Sequence, residues 1–143
     1  MFYKYGVVLC VALVSFVFGF VAAGYTPIKA QAMNKIYELR TYTTAEGKLQ
    51  PLLDRFGGGE VDIFHANGMS SVGYWVPADA PESENTLVYM LAHSSREAAK
   101  KSWAAFIDDP AWHRMRDEST RDGKLVTNVE SLFLDPTDFS PAK

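Results

Sequence analysis

Cysteine is almost missing from this chain: its 143 residues hold one, Cys10, and none follows it. Downstream of that position there is no disulfide, no thiolate nucleophile and no cysteine-based metal site. Histidine is nearly as scarce, with His65, His93 and His113 the full set. They fall on three separate predicted elements with no second histidine at helical ligand spacing, so no metal is expected. A haem on His93 or His65 would have no attachment motif, and no cofactor is expected. Positive charge is short as well, with 14 Lys and Arg against 17 Asp and Glu and a formal net charge of −3. Arg114, Arg116, Arg121 and Lys124 cluster, but Asp117, Glu118 and Asp122 are interleaved with them. That is the pattern of a solvated helix face rather than a phosphate track, so nucleic acid is not an expected partner. No serine sits in a nucleophile-elbow context, which leaves a hydrolase unsupported. No repeat appears at a solenoid period.

What is there begins with an apolar run, Val7 to Ala23, that follows a single basic residue, Lys4, and precedes Ala30-Gln31-Ala32. Charged start, apolar centre and small-x-small site are the order of a secretory signal, with Met33 as the mature N-terminus. The alternative is an uncleaved anchor helix, since 17 residues fall just short of the roughly 20 that span a bilayer comfortably. In both cases residues 33–143 are expected on the far side: periplasmic or extracellular, or held to the membrane only through residues 1–32. Without Lys4 and Lys29 that domain carries 12 basic against 17 acidic residues, a net charge of −5.

Within the domain, hydrophobic periodicity predicts four strands and two helical regions. The strands are Ile36 to Tyr42, Ser70 to Pro77, Leu87 to Ala92 and Leu125 to Leu134. Thr43 with Glu46 and Ser94 with Glu97 have capping-box spacing, placing a helix start after the first strand and after the third. Leu49, Leu52, Leu53 and Phe56 give the first helix its apolar stripe; Ala99, Trp103, Phe106 and Ile107 do so for the second. Pro51 fits only near a first turn, so the first helix should begin late or bend there. Three consecutive glycines, Gly57 to Gly59, cost about 1 kcal/mol each in a helix interior and predict a break before a short turn closed by Gly68. Asp109-Pro110 should interrupt the second helix, with Trp112 and Met115 continuing its apolar face. PADAPESEN reads as an exposed loop, and the tail from Asp135 as irregular.

Four segments carry a resemblance: YELRTYTTAEGKL near residue 40, GMSSVGYWVP at 68–77, NTLVYMLAHSSREAAKKSWAAFIDDPAW at 85–112 and VESLFLDPTDFSP at 129–141. Together they are similar to the NIPSNAP family, in particular its small single-domain bacterial members. Gly57-Gly58-Gly59 departs from that pattern, where a continuous polar helix is expected. The resemblance implies an α+β, ferredoxin-like βαββαβ domain that pairs sheet to sheet as a homodimeric α/β barrel. It implies no single established reaction.

A two-layer domain packs one sheet face on helices and needs a cover for the other. Tyr74, Leu87, Tyr89, Leu91 and Leu132 cannot all share a face with the helix-packing set, so the second subunit is the expected cover and the barrel cavity the expected place for a small apolar or aromatic ligand. Glu38, Arg40, Tyr42, Tyr89 and His93 are the candidates for polar work in that cavity, with Tyr74 and Trp75 as further ligand contacts. An enzymatic reading takes His93 as general base, its unperturbed pKa lying nearest neutrality, and Arg40 or Tyr89 as steadying an oxyanion. Related barrels include cofactor-independent monooxygenases and haem-degrading enzymes, an analogy at the level of fold. Against it stands a structural reading, in which Glu38 and Arg40 neutralise each other and fix the dimer register while His93 packs beside the helix cap. A third reading is a non-catalytic scaffold, as the roles proposed for eukaryotic relatives in mitochondrial quality control imply.

Overall fold

The computed structural model describes residues 35–142. The expected leader at 1–32 and the cleavage before Met33 lie outside these residues. Four strands form one sheet: β1 (Ile36–Thr44), β2 (Ser70–Trp75), β3 (Thr86–His93) and β4 (Val126–Leu134). Their spatial order is β2-β3-β1-β4, with every neighbouring pair antiparallel. Between β1 and β2 run α1 (Leu49–Arg55), a π-turn (Phe56–Glu60) and α2 (Val61–Ala66); between β3 and β4 run α3 (Arg96–Asp108) and α4 (Pro110–Ser119). This is the ferredoxin-like βαββαβ arrangement, each crossover leaving a gap that one strand of the other pair fills. Among the described residues no helix is long and apolar enough to cross a membrane.

Local chemistry sets the element ends, with two corrections to the sequence reading. β1 runs on through Thr44, so Thr43 stays in the strand; α1 begins at Leu49 behind Lys48, which makes no side-chain cap. The Thr43/Glu46 box therefore does not form, and Pro51 falls in the first turn, where its missing N–H costs nothing. The second helix is capped one residue later than its spacing predicts. Ser95, not Ser94, takes the extended backbone of an N-cap and accepts from the Ala98 N–H, because β3 carries on through His93 and Ser94 is spent on the bend. Asp109 ends α3 and caps α4 through the Ala111 N–H, with Pro110 in the first position, as Pro favours. α2 closes as expected at Gly68, whose φ of +81° is open to glycine. The N–H groups of Gly68 and Met69 return to the carbonyls of His65 and Phe64, a Schellman closure.

Helices α1 to α4 lie on one sheet face, and the core forms between the layers. Tyr42, Leu87, Tyr89 and Leu91 from the strands meet Leu52, Phe56, Phe64 and Phe106 from the helical side. Aromatic rings dominate: Phe56 makes edge contacts with Tyr42, Phe64, Tyr74 and Tyr89, a geometry their quadrupoles favour. Ile107, expected in the apolar stripe of α3, is 57% exposed; Trp103 and Phe106 already fill the space below, and Ile107 lies one step round the helix from it.

Strand alternation assigns the other face. Register places Tyr37, Leu39, Val88, Met90, Leu132 and Leu134 there together, and Trp75 opposite Val88. Val72 is the extra residue of a bulge in β2 between Ser71 and Gly73. Trp75, 52% exposed, folds its ring over Gly73, where any Cβ would come within 2.5 Å of it. The C-terminal residues from Asp135 are irregular, and Pro136, Thr137 and Ser140 wall a shallow apolar cavity on this face with Tyr37, Met90 and Leu134.

Candidate functional site

The polar residues of β1 face the helices, not the open sheet face. Alternation puts Glu38, Arg40 and Tyr42 on one side of the strand, and register sets Arg40 opposite Tyr89 and Ile36 opposite His93. The expectation that these residues line the cavity between two sheets is therefore corrected. They sit within one subunit, sandwiched under α3. The sequence shows two unlike faces on β1 but not which one the helices cover.

Glu38, 1% exposed, is the centre of this group. One carboxylate oxygen accepts from Arg40 Nη1 and from Ser131 Oγ, each at 2.7 Å. The other accepts from Trp103 Nε1 at 2.7 Å and from His93 Nε2 at 3.1 Å. Burial alone would raise its pKa, but hydrogen bonds from His93, Trp103, Ser131 and Arg40 outweigh that and hold it at about 2. Arg40 stacks on the Trp103 ring at 4.2 Å, a cation–π contact. Burial opposes its charge, yet Tyr42, Tyr89 and Glu38 keep the guanidinium protonated more firmly than usual. Its Nη2 reaches the Tyr42 hydroxyl at 3.4 Å, and the buried Tyr89 hydroxyl donates to the same oxygen at 2.9 Å. Burial first, then Tyr42, pushes the Tyr89 phenol well up. A continuous polar chain thus runs from His93 through Glu38 and Arg40 to Tyr42, with Tyr89 at its end.

The Tyr42 end of that chain meets a cavity. This pocket, about 280 Å³, is walled by Tyr42, Val126 and Val129 from the sheet, by Phe106 and Trp112 from α3 and α4, and by Arg55 and Glu60 beside the π-turn, with Arg116 and Lys124 also lining it. Arg55 Nε donates to Glu60 Oε2 at 2.7 Å, and its guanidinium lies 4.9 Å from the centre of the Trp112 ring. Both side chains are buried. Burial raises the Glu60 carboxyl to about 7, because the opposing pull of Arg55, and of Arg40 behind it, is not enough to cancel the loss of water.

The π-turn makes this pair possible. Residues five apart on an α-helix diverge by about 140°; the wider π-turn brings them back to one side. Gly59, at φ +133°, absorbs the distortion, and a Cβ there would stand 3.0 Å from Met115 Cε. Arg55 and Glu60 were not among the residues singled out from the sequence. The signal was the run of three glycines between two opposite charges at a spacing no α-helix would pair.

The remaining candidates separate. His93 is buried with Nε2 committed to Glu38, its Nδ1 has no partner among the described residues, and it forms no part of the Tyr42 cavity. It stands four residues along β3 from Tyr89, about 13 Å, so the trio of His93, Arg40 and Tyr89 does not converge on one reacting atom. Glu38 and Arg40 neutralise each other as the structural reading holds, but they tie β1 to β4 and α3 rather than fixing a dimer register. Tyr74 and Trp75 point to opposite faces. Tyr74 stacks on Tyr89 with centroids 5.6 Å apart and hydrogen-bonds Ser71 at 2.6 Å, and Ser71 in turn meets His65 at 2.8 Å. Among the described residues no three His, Cys, Asp or Glu side chains cluster to hold a metal.

The NIPSNAP family model matches residues 37–141. No protein of curated function matches the sequence. A NIPSNAP family protein of unknown function from Agrobacterium tumefaciens is 26% identical, with a TM-score of 0.68 over 78% of this chain and 96% of its own. An uncharacterized NIPSNAP-like domain protein from Burkholderia xenovorans is 19% identical, with a TM-score of 0.66 over 76% of this chain and 90% of its own. SnoaB, a cofactor-independent oxygenase from Streptomyces nogalater, is similar in fold, at 12% identity and a TM-score of 0.50 over 76% of this chain and 98% of its own.

Proposed function

The chain belongs to the NIPSNAP family, and from that premise we propose that it is an exported, homodimeric binding protein that takes one small aromatic or apolar molecule into the Tyr42 cavity of each subunit. The observation that carries the reading is the wall of that cavity: Phe106, Trp112, Val126 and Val129 beside Tyr42 and a buried ion pair. Apolar walls with a few placed polar groups are what a small-molecule site requires, and about 280 Å³, just under the usual range, suits a small aromatic ligand. The lining includes Lys124, and Arg116 paired with Asp117, so one lysine charge is left to favour a ligand with one anionic group. Dimerisation rests on the open sheet face, where Val72, Trp75 and Leu132 are exposed together. Glu130 is the one charge that register places with them, so a second copy of the same face is the cover that needs no charge complement. Export rests on the order of features in residues 1–32.

A second reading is chemistry without a bound cofactor, as in SnoaB. What favours it here is a titratable carboxyl, Glu60, facing the same cavity.

Native mass spectrometry of the full chain recovered from an exported fraction, followed by titration with 1-anilinonaphthalene-8-sulfonate, tests the binding reading. The expected result is a dimer that binds the dye, with Val129→Trp abolishing the signal by filling the cavity mouth. A dimer whose dye binding survives that substitution sends the ligand elsewhere, and a monomer removes the barrel.

A further inference from the structure

We propose that Glu60 and Tyr42 form a proton-transfer pair, which makes the cavity a site for tautomerising aromatic keto acids. The inference rests on the ligand reading above and adds a reaction to it.

Three geometrical facts meet in the cavity. First, Glu60 and Tyr42 belong to the same wall, one delivered by the π-turn and the other by β1. Second, the Tyr42 oxygen already accepts from Tyr89 and Arg40. Two donors on a phenol oxygen strengthen the phenol as a donor in turn; Tyr42 lines the cavity, and neither contact uses its own proton. A carbonyl oxygen gaining negative charge is the acceptor that gains most from such a donor. Third, Glu60 is buried yet not wholly neutralised. The charged and titratable groups around it are Arg55 on α1, Arg40 and Tyr42 on β1, Tyr74 on β2, Tyr89 on β3, and Arg116 and Lys124 across the cavity. Of these Arg55 alone hydrogen-bonds it, and through a single carboxylate oxygen. The other oxygen remains as a base. A carboxyl near 7 is divided between its two protonation states at neutral pH, the condition that suits a group taking and returning a proton.

The step balances without an external oxidant or reductant. A ligand carboxylate is held by Lys124 at the mouth, Arg116 being paired with Asp117, with its ring between Trp112 and Val129. The free Glu60 oxygen removes a proton from the carbon next to the ketone. The C–H electron pair becomes the carbon–carbon double bond, and the carbonyl π pair moves to oxygen as an enolate held by the Tyr42 O–H. Glu60 then returns that proton, or one exchanged with water, to the enolate oxygen. Keto and enol have the same composition, and the reverse direction uses the same groups.

Phenylpyruvate is the probe: it has the ring, the carboxylate and an enolisable carbon, and its enol absorbs in the ultraviolet. Its binding is read separately, from quenching of tryptophan fluorescence. The expected result is binding by the wild type, ketonisation faster than the buffer alone, and a rate that rises with pH through about 7. Glu60→Gln should still bind phenylpyruvate and lose about 100-fold or more in rate, the scale of general-base catalysis. Tyr42→Phe should lose about 100-fold or more, one donor to a developing oxyanion. If Glu60→Gln fails to give a native circular dichroism spectrum, Glu60→Asp and Tyr42→Phe decide, and unaltered rates in both overturn the proposal. Binding without acceleration, or a Glu60→Gln rate equal to wild type, overturns proton transfer and leaves the ligand reading standing. Failure of phenylpyruvate and the dye alike to bind overturns both.

Discussion

Replacing Glu38 with glutamine isolates the polar group under α3 from everything else in the molecule. The wild-type carboxylate accepts four hydrogen bonds, two on each oxygen. A glutamine offers one acceptor oxygen, turns an N–H₂ toward two donors, and leaves the largely buried Arg40 without its counter-charge. Breaking a buried charge pair in this way costs about 3–5 kcal/mol. The lowered carboxyl pKa reflects the same contacts and gives a figure of the same size. The carboxyl moves from 4.5 to about 2 on folding, and at about 1.4 kcal/mol per pH unit that is about 3 kcal/mol. Because the folded value is the lower one, this stability is fully present above pH 4.5 and disappears as pH falls from there toward 2. Glu60 works with the opposite sign: raised to about 7, it adds stability below pH 4.5 that is lost as pH rises through 7. The difference between wild type and Glu38→Gln cancels that second contribution. Urea unfolding at one fixed protein concentration, followed by tryptophan fluorescence, is the assay. With a slope of about 2 kcal/mol per M, the midpoint should fall by about 1.5–2.5 M at pH 7, and the gap should close progressively between pH 4.5 and pH 2. A gap under about 1 kcal/mol at pH 7, or one that does not change with pH, would refute the anchoring argument.

The three glycines should respond to alanine in opposite directions. Gly59→Ala, at φ +133°, should cost about 1–3 kcal/mol and weaken dye binding by distorting the π-turn wall of the cavity; Gly57→Ala and Gly58→Ala meet nothing within 4 Å and should gain about 0.4–1 kcal/mol. Thermal unfolding of the three variants reads the difference, and equal effects would remove the special status of Gly59. On the open sheet face, Leu132→Lys should convert the dimer to monomer by sedimentation velocity while keeping its helical signal, since Leu132 is 57% exposed and touches no core. A dimer that survives would place the contact elsewhere.

Strand and helix positions were legible because they depend on short-range pattern. Alternation found all four strands, and Pro51, Gly68 and Asp109-Pro110 marked their turns through backbone restrictions that no tertiary context cancels. Caps were less legible. Thr43 and Ser94 have the right spacing to an acid, but strand pairing with β3 and β4 holds Thr43 extended, and the longer reach of β3 hands the cap to Ser95. The polar site was half legible. Glu38, Arg40, Tyr42, Tyr89 and His93 do belong together, but period-two alternation is blind to which side the helices take. Charged residues read as cavity-facing turned out to be buried because Trp103 and Ser131, 65 and 93 residues downstream of Glu38, supply the missing donors. Arg55 and Glu60 were illegible for a different reason: their pairing exists only in a helix wound more loosely than the one a helical reading assumes.

The two borders of the sheet are unequal, and that limits how the protein can aggregate. β2 forms one border, and its bulge at Val72 together with Pro77 just beyond its end interrupts any ladder that a foreign strand would need. β4 forms the other with nine residues. Strand addition can begin at β4, but an added copy presents its own β4 or its guarded β2. Edge-to-edge pairing therefore stops at two chains, and the fibre-like stacking that an evenly open sheet would invite has no second growing end.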